Sequence, residues 1–377
     1  MIQRSTDIES NLRENKVLII YGARQVGKTT LVKEYLTKTK YKYLFYTGDD
    51  LNFSDNLSKC DLPLFKKMFT GSQLLVIDEA QKIPNIGRAL KLIVDNFEKI
   101  KVVATGSSSF DLANAAEESL TGRKNILNIY PISQIELLSI NSQYEIENNL
   151  QDYLIYGSYP AVITADTLVE KEKIIREIEN SYLLNDILAF DMVKSSKTIR
   201  DLLKLIAFQI GQEVSLTELG SSLDIDKKTV ARYLDLLEKA FVIFRLDGFA
   251  RNLRKEVSKM SKYYFYDNGI RNALISNFND LNTRNDIGML WENFLTIERS
   301  KRNEYSNIHP NYYFWRTYDQ KEIDLIEEVG GNLDGYEFKW GNKATGSKKE
   351  WLETYKNAHL EIINKENYFD FLKYSKT

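Results

Sequence analysis

Five short apolar runs recur between residues 17 and 130, at 17–21, 41–47, 74–77, 101–105 and 126–130, with stretches of helical spacing between them. Runs that stay apolar without alternation suit strands buried on both faces. Their alternation with helices predicts an α/β fold, a parallel sheet covered by helices. From about 145 to 210 the pattern turns helical, with few Gly or Pro and many charges, and Leu183, Leu184, Ile187 and Leu188 fall at the spacing of a core-facing stripe. Residues 214–247 predict a helix–turn–helix and wing. Ser215 is placed to cap Leu216–Leu223, residues 224–226 turn, and a second helix over 227–240 turns Val230, Leu234 and Leu237 inward. Two alternating strands follow at 241–246 and 263–266. The chain thus divides into an α/β core over 1–145, a helical lid or linker over 146–210, a winged helix over 211–272 and an α/β domain over 273–377.

The first apolar run leads into Gly22, Ala23, Arg24, Gln25, Val26, Gly27, Lys28 and Thr29, with Thr30 opening a helix-forming stretch. This is a complete G-x-x-x-x-G-K-[ST] phosphate loop in its strand–loop–helix setting. Backbone N–H groups of such a loop point inward and cradle phosphates, aided by the positive end of the helix dipole. Residues 22–30 are therefore expected to bind ATP, with Lys28 on the β- and γ-phosphates and Thr29 on Mg²⁺. The run 74–77 ends in Asp78 and Glu79, about 50 residues past Lys28. Asp78 is expected beside the metal and Glu79 as the group that polarises the attacking water. The run 101–105 ends in hydroxyls, of which Ser107 is expected to sense the γ-phosphate or hold the water, though a plain helix cap explains one of these serines equally. Arg123, after a loop, is a candidate to stabilise the transferring phosphoryl group in cis or from a neighbouring subunit, with a surface arginine as the alternative.

In this order, Gly-Ala-Arg-Gln-Val-Gly-Lys-Thr, Leu-Val-Ile-Asp-Glu-Ala-Gln-Lys-Ile-Pro, Thr-Gly-Ser-Ser and Leu-Thr-Gly-Arg resemble the archaeal-ATPase-like branch of the AAA superfamily. They are similar in particular to prokaryotic ATP-binding proteins that carry a C-terminal domain of unknown function. Tyr-Leu-Ile-Tyr-Gly-Ser-Tyr-Pro-Ala at 153–161 and Gly-Met-Leu-Trp-Glu-Asn-Phe-Leu at 288–295 extend the resemblance over nearly the whole chain. It implies an AAA-type P-loop ATPase core, a helical lid, a winged helix and a nuclease-like C-terminal domain, and supplies no substrate.

Further on, Glu292 lies in a helical stretch, Asp324 in the strand-like Glu-Ile-Asp-Leu-Ile, and Glu337-Phe338-Lys339 in a second strand-like run. Residues i and i+2 of a strand share a face, so Glu337 and Lys339 point together while Tyr336, Phe338 and Trp340 pack on the other side. Glu292, Asp324 and Glu337 would hold Mg²⁺ or Mn²⁺, and Lys339 would orient or help deprotonate the attacking water. This order resembles the PD-(D/E)XK nuclease core. Ile323 stands where that motif often has proline, and no Gln follows in the next helix, so an inactive scaffold that binds a protein partner stays open beside a DNA nuclease.

Composition narrows these readings only slightly. The 377 residues are 43% hydrophobic and 28% charged, as in ordinary globular proteins. One cysteine, Cys60, excludes an intramolecular disulfide framework, and two histidines, His309 and His359, leave too little for a Cys/His zinc site. The start lacks a secretory apolar segment and no run approaches a membrane span, so a cytoplasmic protein without membrane contact is expected, as a homo-oligomer. A net charge of −2 gives no global field for nucleic acid, but residues 194–262 hold 14 Lys+Arg against 9 Asp+Glu. Arg245, Arg251, Arg254, Lys255, Lys259 and Lys262 fall in or beside the wing. A winged helix on DNA and one used only between proteins or domains both fit.

Overall fold

The computed structural model describes residues 2–106, 120–188, 195–249, 260–317, 321–341 and 348–373, with side chains omitted at 182–188 and 348. The chain divides into two compact units, one of Arg4–Tyr130 with Lys239–Phe241, the other of Met1–Gln3, Pro131–Glu238 and Val242–Thr377.

In the first unit, β1 (Val17–Tyr21), β2 (Tyr43–Thr47), β3 (Leu74–Asp78), β4 (Lys101–Gly106) and β5 (Lys124–Asn128) form a fully parallel sheet in the order β2-β3-β4-β1-β5. Three of the five expected strands start where the apolar runs start. The last strand lies two residues earlier than expected, because the chain leaves the sheet once Ile129 N–H donates to the Tyr21 carbonyl. The central strands β1 and β3 are buried at every position, which explains their unbroken apolar runs. One face packs Ile19, Leu75, Ile77 and Ala104 against Leu90 and Ile93 of the helix Ile86–Asn96.

The second unit holds a seven-stranded sheet. Its strands are β6 (Glu213–Val214), β7 (Ile243–Gly248), β8 (Ser261–Phe265), β9 (Asn311–Arg316), β10 (Glu322–Val329), β11 (Asn332–Phe338) and β12 (Ala358–Ile363), in the order β12-β11-β10-β9-β7-β8-β6. Ser215 caps Leu216–Leu223 by accepting from Glu218 N–H, the helix Lys227–Lys239 follows, and Val230, Leu234 and Leu237 are buried as expected. The two strands after it, β7 and β8, pair antiparallel. They do not stand alone, since β7 also pairs in parallel with β9 through Asp247 with Tyr313 and Gly248 with Phe314. The sheet therefore crosses the boundary expected at residue 272. Leu183, Leu184, Ile187 and Leu188 belong to the helix Leu168–Leu188, with side chains outside the described residues. Among the described residues no helix is long and apolar enough to cross a membrane.

Candidate functional site

The parallel register brings three pieces of chemistry to one edge of the first sheet. β1 ends at Tyr21 opposite Gly106, and β3 ends at Asp78 beside β4, where Ile77 pairs with Ala104. This carboxyl-terminal edge is where ligands bind in open parallel sheets. The loop that leaves β1 needs its glycines. A Cβ on Gly22 would lie 2.0 Å from the Ile129 carbonyl oxygen, and Gly27, at φ 98°, precedes the helix Lys28–Lys38 in the left-handed region. Lys28 is 5% exposed, and its Nζ donates to the carbonyls of Gly22 and Ala23, both at 2.7 Å. The ammonium thus rests on the loop's own carbonyls.

Asp78 is only 7% exposed, and its partners are hydroxyls. Thr29 Oγ1 donates to it at 2.9 Å and Thr105 Oγ1 at 2.5 Å. Buried anions are stable only when a cation or strong donors compensate them, so a carboxylate and a hydroxyl side by side fit the hard-oxygen chemistry of Mg²⁺. Glu79 follows in the left-handed region, at φ 51°, and its N–H donates to Thr105 Oγ1 at 3.1 Å. Its carboxylate is held by Gln81 Nε2 at 2.6 Å and lies 3.9 Å from the Lys82 ammonium, which also binds Asp49. Ser107 lies outside the described residues.

Arg123 is placed away from this edge. It precedes β5, whose Lys124 pairs with Val17 at the start of β1, while the phosphate loop leaves the far end, where Tyr21 pairs with Asn128. Five strand residues at about 3.3 Å each put roughly 17 Å between the two ends. Its guanidinium instead meets Asp95 at 2.5 Å, on a partly exposed surface. The strand direction thus places Arg123 at the end of the sheet opposite the phosphate loop, which does not favour the expected action in cis on the γ-phosphate.

In the second unit, Glu292 lies on the helix Ile287–Tyr305, Asp324 on β10 and Glu337 on β11. Asp324 stands where the β9–β10 register shifts between Ile323 and Ile326, an irregularity of the kind that re-aims a side chain. Glu337 and Lys339 do point together, with Lys339 Nζ 2.9 Å from Glu337, and Tyr336 and Phe338 both meet Phe371. The three acids do not gather as a metal site, however. Among the described residues no group of three or more His, Cys, Asp or Glu side chains is arranged to hold a metal ion. Lys262 of β8, 1% exposed, lies among them, its Nζ 3.1 Å from Glu292 and in contact with Glu322. The lysine counted with the basic wing is therefore buried in acid, which also holds its ammonium above the ordinary lysine range despite burial. Asp324 is pushed up to about 8 by burial first and by the negative Glu292 second, with Lys262 opposing. Arg251, Arg254, Lys255 and Lys259 lie outside the described residues.

The chain is similar to known proteins over most of its length. Residues 14–138 match the family model described as AAA domain. Over these residues the chain is similar to an AAA domain. Residues 147–281 and 287–368 match two further models, Domain of unknown function (DUF8612) and Domain of unknown function (DUF4143). An uncharacterized protein of Mycobacterium tuberculosis is 29% identical over 333 residues, 87% of this chain and 71% of its own length. An uncharacterized protein of Haemophilus influenzae is 26% identical over 329 residues, covering 82% of this chain and 79% of its own, and one of Methanocaldococcus jannaschii is 24% identical over 379 residues, covering 94% and 81%. A solved structure of an arginine-to-alanine variant of Thermotoga maritima RuvB aligns at a TM-score of 0.29 and 16% identity, over 63% of this chain and 83% of that one, too weakly to carry an argument.

Two residues of the first unit were given no role by the sequence. Thr105, fully buried in β4, bonds both Asp78 and the Glu79 N–H. A polar residue at the last level of an apolar strand, next to a strand ending in Asp, is the signal that could have found it. Arg4 bonds the carbonyls of Val26 at 3.4 Å and Tyr130 at 2.7 Å, bracing the loop from outside. Nothing local in the sequence marks that contact.

Proposed function

We propose that this chain is a Mg²⁺-dependent ATPase whose cycle controls engagement of DNA by the helix pair Leu216–Leu223 and Lys227–Lys239. The observation that carries the ATPase part is Asp78 buried between the hydroxyls of Thr29 and Thr105, directly behind a loop whose lysine rests on its own carbonyls. In this reading the backbone of residues 22–30 cradles the triphosphate, and Lys28 turns from the Gly22 and Ala23 carbonyls to the β- and γ-phosphates. Thr29 and Asp78 would hold Mg²⁺, which would supply charge neutralisation to the triphosphate. Glu79 takes a proton from the attacking water, so its bond from Gln81 opens first. Support for DNA comes from Lys227 and Lys228, exposed at a helix start, which line a groove of about 560 Å³ together with Arg245. Steady-state ATP hydrolysis with and without duplex DNA tests both parts. DNA should stimulate turnover in a salt-dependent way, and the effect should vanish when Lys227 and Lys228 become Glu. Turnover in wild type that survives Lys28→Ala would end the ATPase reading.

A second reading is favoured by one observation. The burial of Lys262 among Glu292, Glu322 and Asp324 suits a C-terminal fold that binds a partner more than one that hydrolyses phosphodiesters. In that reading the nucleotide cycle is a switch and the partner is a protein. Stimulation of ATP turnover by a protein partner, with no response to DNA, would select it.

A further inference from the structure

We infer that Lys262 is the resident cation of the C-terminal carboxylate cluster, occupying the role that the order of its acids assigns to a divalent metal. The inference concerns the second unit alone and does not depend on the nucleotide reading.

The geometry is that of a built ionic core. The Lys262 Nζ is held by Glu292 at 3.1 Å and by Glu322, and sits 5.2 Å from the centre of the Phe314 ring. Phe314 belongs to β9, facing the register shift that carries Asp324. Glu292 is fixed from another side by the Tyr264 hydroxyl, which donates to the same Oε1 at 2.7 Å. Gly211, at φ 72°, leaves that carboxylate its room, since a Cβ there would lie 3.1 Å from Oε1. The remaining acids are also served by the chain. Asp324 accepts from Phe338 N–H at 2.7 Å, and Glu337 pairs with Lys339 at 2.9 Å.

Every acid that the nuclease-like order would offer to a metal is thus already bound by an N–H, an O–H or an ammonium of this chain. A divalent ion needs several oxygens converging at about 2.0–2.6 Å. To obtain Glu292 Oε1 it would have to compete with a buried ammonium and the Tyr264 hydroxyl, both already on that oxygen. Lys262 and Tyr264 therefore share with any metal the one Glu292 oxygen they already hold. The lysine also comes from β8, 62 residues before Asp324, a segment that the three-acid order does not include. The residues present therefore do not fit a divalent metal.

The test uses full-length, nucleotide-free protein and Mn²⁺ as the probe, with Mn²⁺ binding read by electron paramagnetic resonance and stability by thermal melting. Wild type is expected to bind no Mn²⁺ at this cluster and to melt at the same temperature with and without it. Lys262→Met removes the internal cation and should lower the melting temperature by roughly 10 °C. The acids left behind should then take up Mn²⁺, which restores part of the loss. The double variant Lys262→Met with Glu292→Gln should regain stability without metal and lose the Mn²⁺ response. If the single variant does not fold, recovery of a folded chain in the double variant supports the same conclusion. The inference is overturned if wild type binds Mn²⁺ in a way that Asp324→Asn abolishes, or if Lys262→Met melts like wild type. Mn²⁺-dependent DNA cleavage by wild type that is lost in Glu337→Gln overturns it equally.

Discussion

Asp78 at the end of β3 and Asp324 on β10 are equally buried, each 7% exposed, and each has a second acid close by in the sequence or the fold. Their surroundings differ in kind. Asp78 meets two neutral hydroxyls, Thr29 and Thr105, which donate hydrogen bonds but bring no charge. Asp324 meets a backbone N–H and stands within the field of two ammonium groups, Lys262 and Lys339. A hydroxyl shell leaves the anion's charge to be balanced from outside, whereas at Asp324 burial and the negative Glu292 outweigh the two lysines and favour the protonated acid. Acids in a metal-like order thus distinguish a site open to an ion from a closed one only when their neighbours are known.

The comparison can be broken at several points. Glu79→Gln should produce the largest effect, a loss of turnover of about 10²–10⁴-fold with ATP binding kept, because the amide preserves shape but cannot take the proton. Wild-type rates in single-turnover assays of this variant would move the base elsewhere. Lys28→Ala comes next. A ligand at 100 times its Kd stabilises its protein by roughly 2.7 kcal/mol, and the ATP-induced melting shift that reflects this should disappear in the variant. An undiminished shift would mean that the loop does not hold the triphosphate.

A pH experiment probes the other side of the comparison. Asp324 titrates near 8 in the folded chain against an ordinary value of 3.8, so between these limits the native state holds a proton that the unfolded chain has released. Its stabilising contribution is complete below about pH 4 and is lost as pH rises through about 8. Asp324→Asn should flatten that part of the curve of urea midpoint against pH; a slope identical to wild type would assign the dependence to other groups. A smaller effect is expected from Thr105→Val, which keeps the shape but removes the hydroxyl shared by Asp78 and the Glu79 N–H. One such bond contributes on the order of 1 kcal/mol, so a few-fold weaker Mg²⁺ activation should appear in titrations of ATP turnover. The smallest change is predicted for Arg123→Ala, whose turnover as an isolated subunit should stay within about twofold of wild type, since a partly exposed ion pair is worth at most about 1 kcal/mol. A drop of 10³-fold or more confined to the assembled state would reveal an arginine acting on a neighbouring subunit.

Much of this protein was legible along the chain. The loop at 22–29, the strand ending in Asp78-Glu79 and the cap at Ser215 each depend on contacts a few residues long, or on the periodicity of one element, and these are what a linear pattern encodes. The pairing of Glu337 with Lys339 came from the same source, because i and i+2 on a strand share a face. What the pattern left undecided depends on which strands become neighbours. Parallel alignment of β1 with β5 put Arg123 at the end opposite the loop, and alignment of β3 with β4 put Thr105 against Asp78. The pairing of β7 with β9 joined the expected wing to the C-terminal strands in one sheet, and on its neighbour β8 the side chain of Lys262 reaches the acids. A lysine looks alike in sequence whether solvent or a carboxylate receives its ammonium. Only the strand order settles that, through contacts between residues far apart in the chain whose energies no local preference can anticipate.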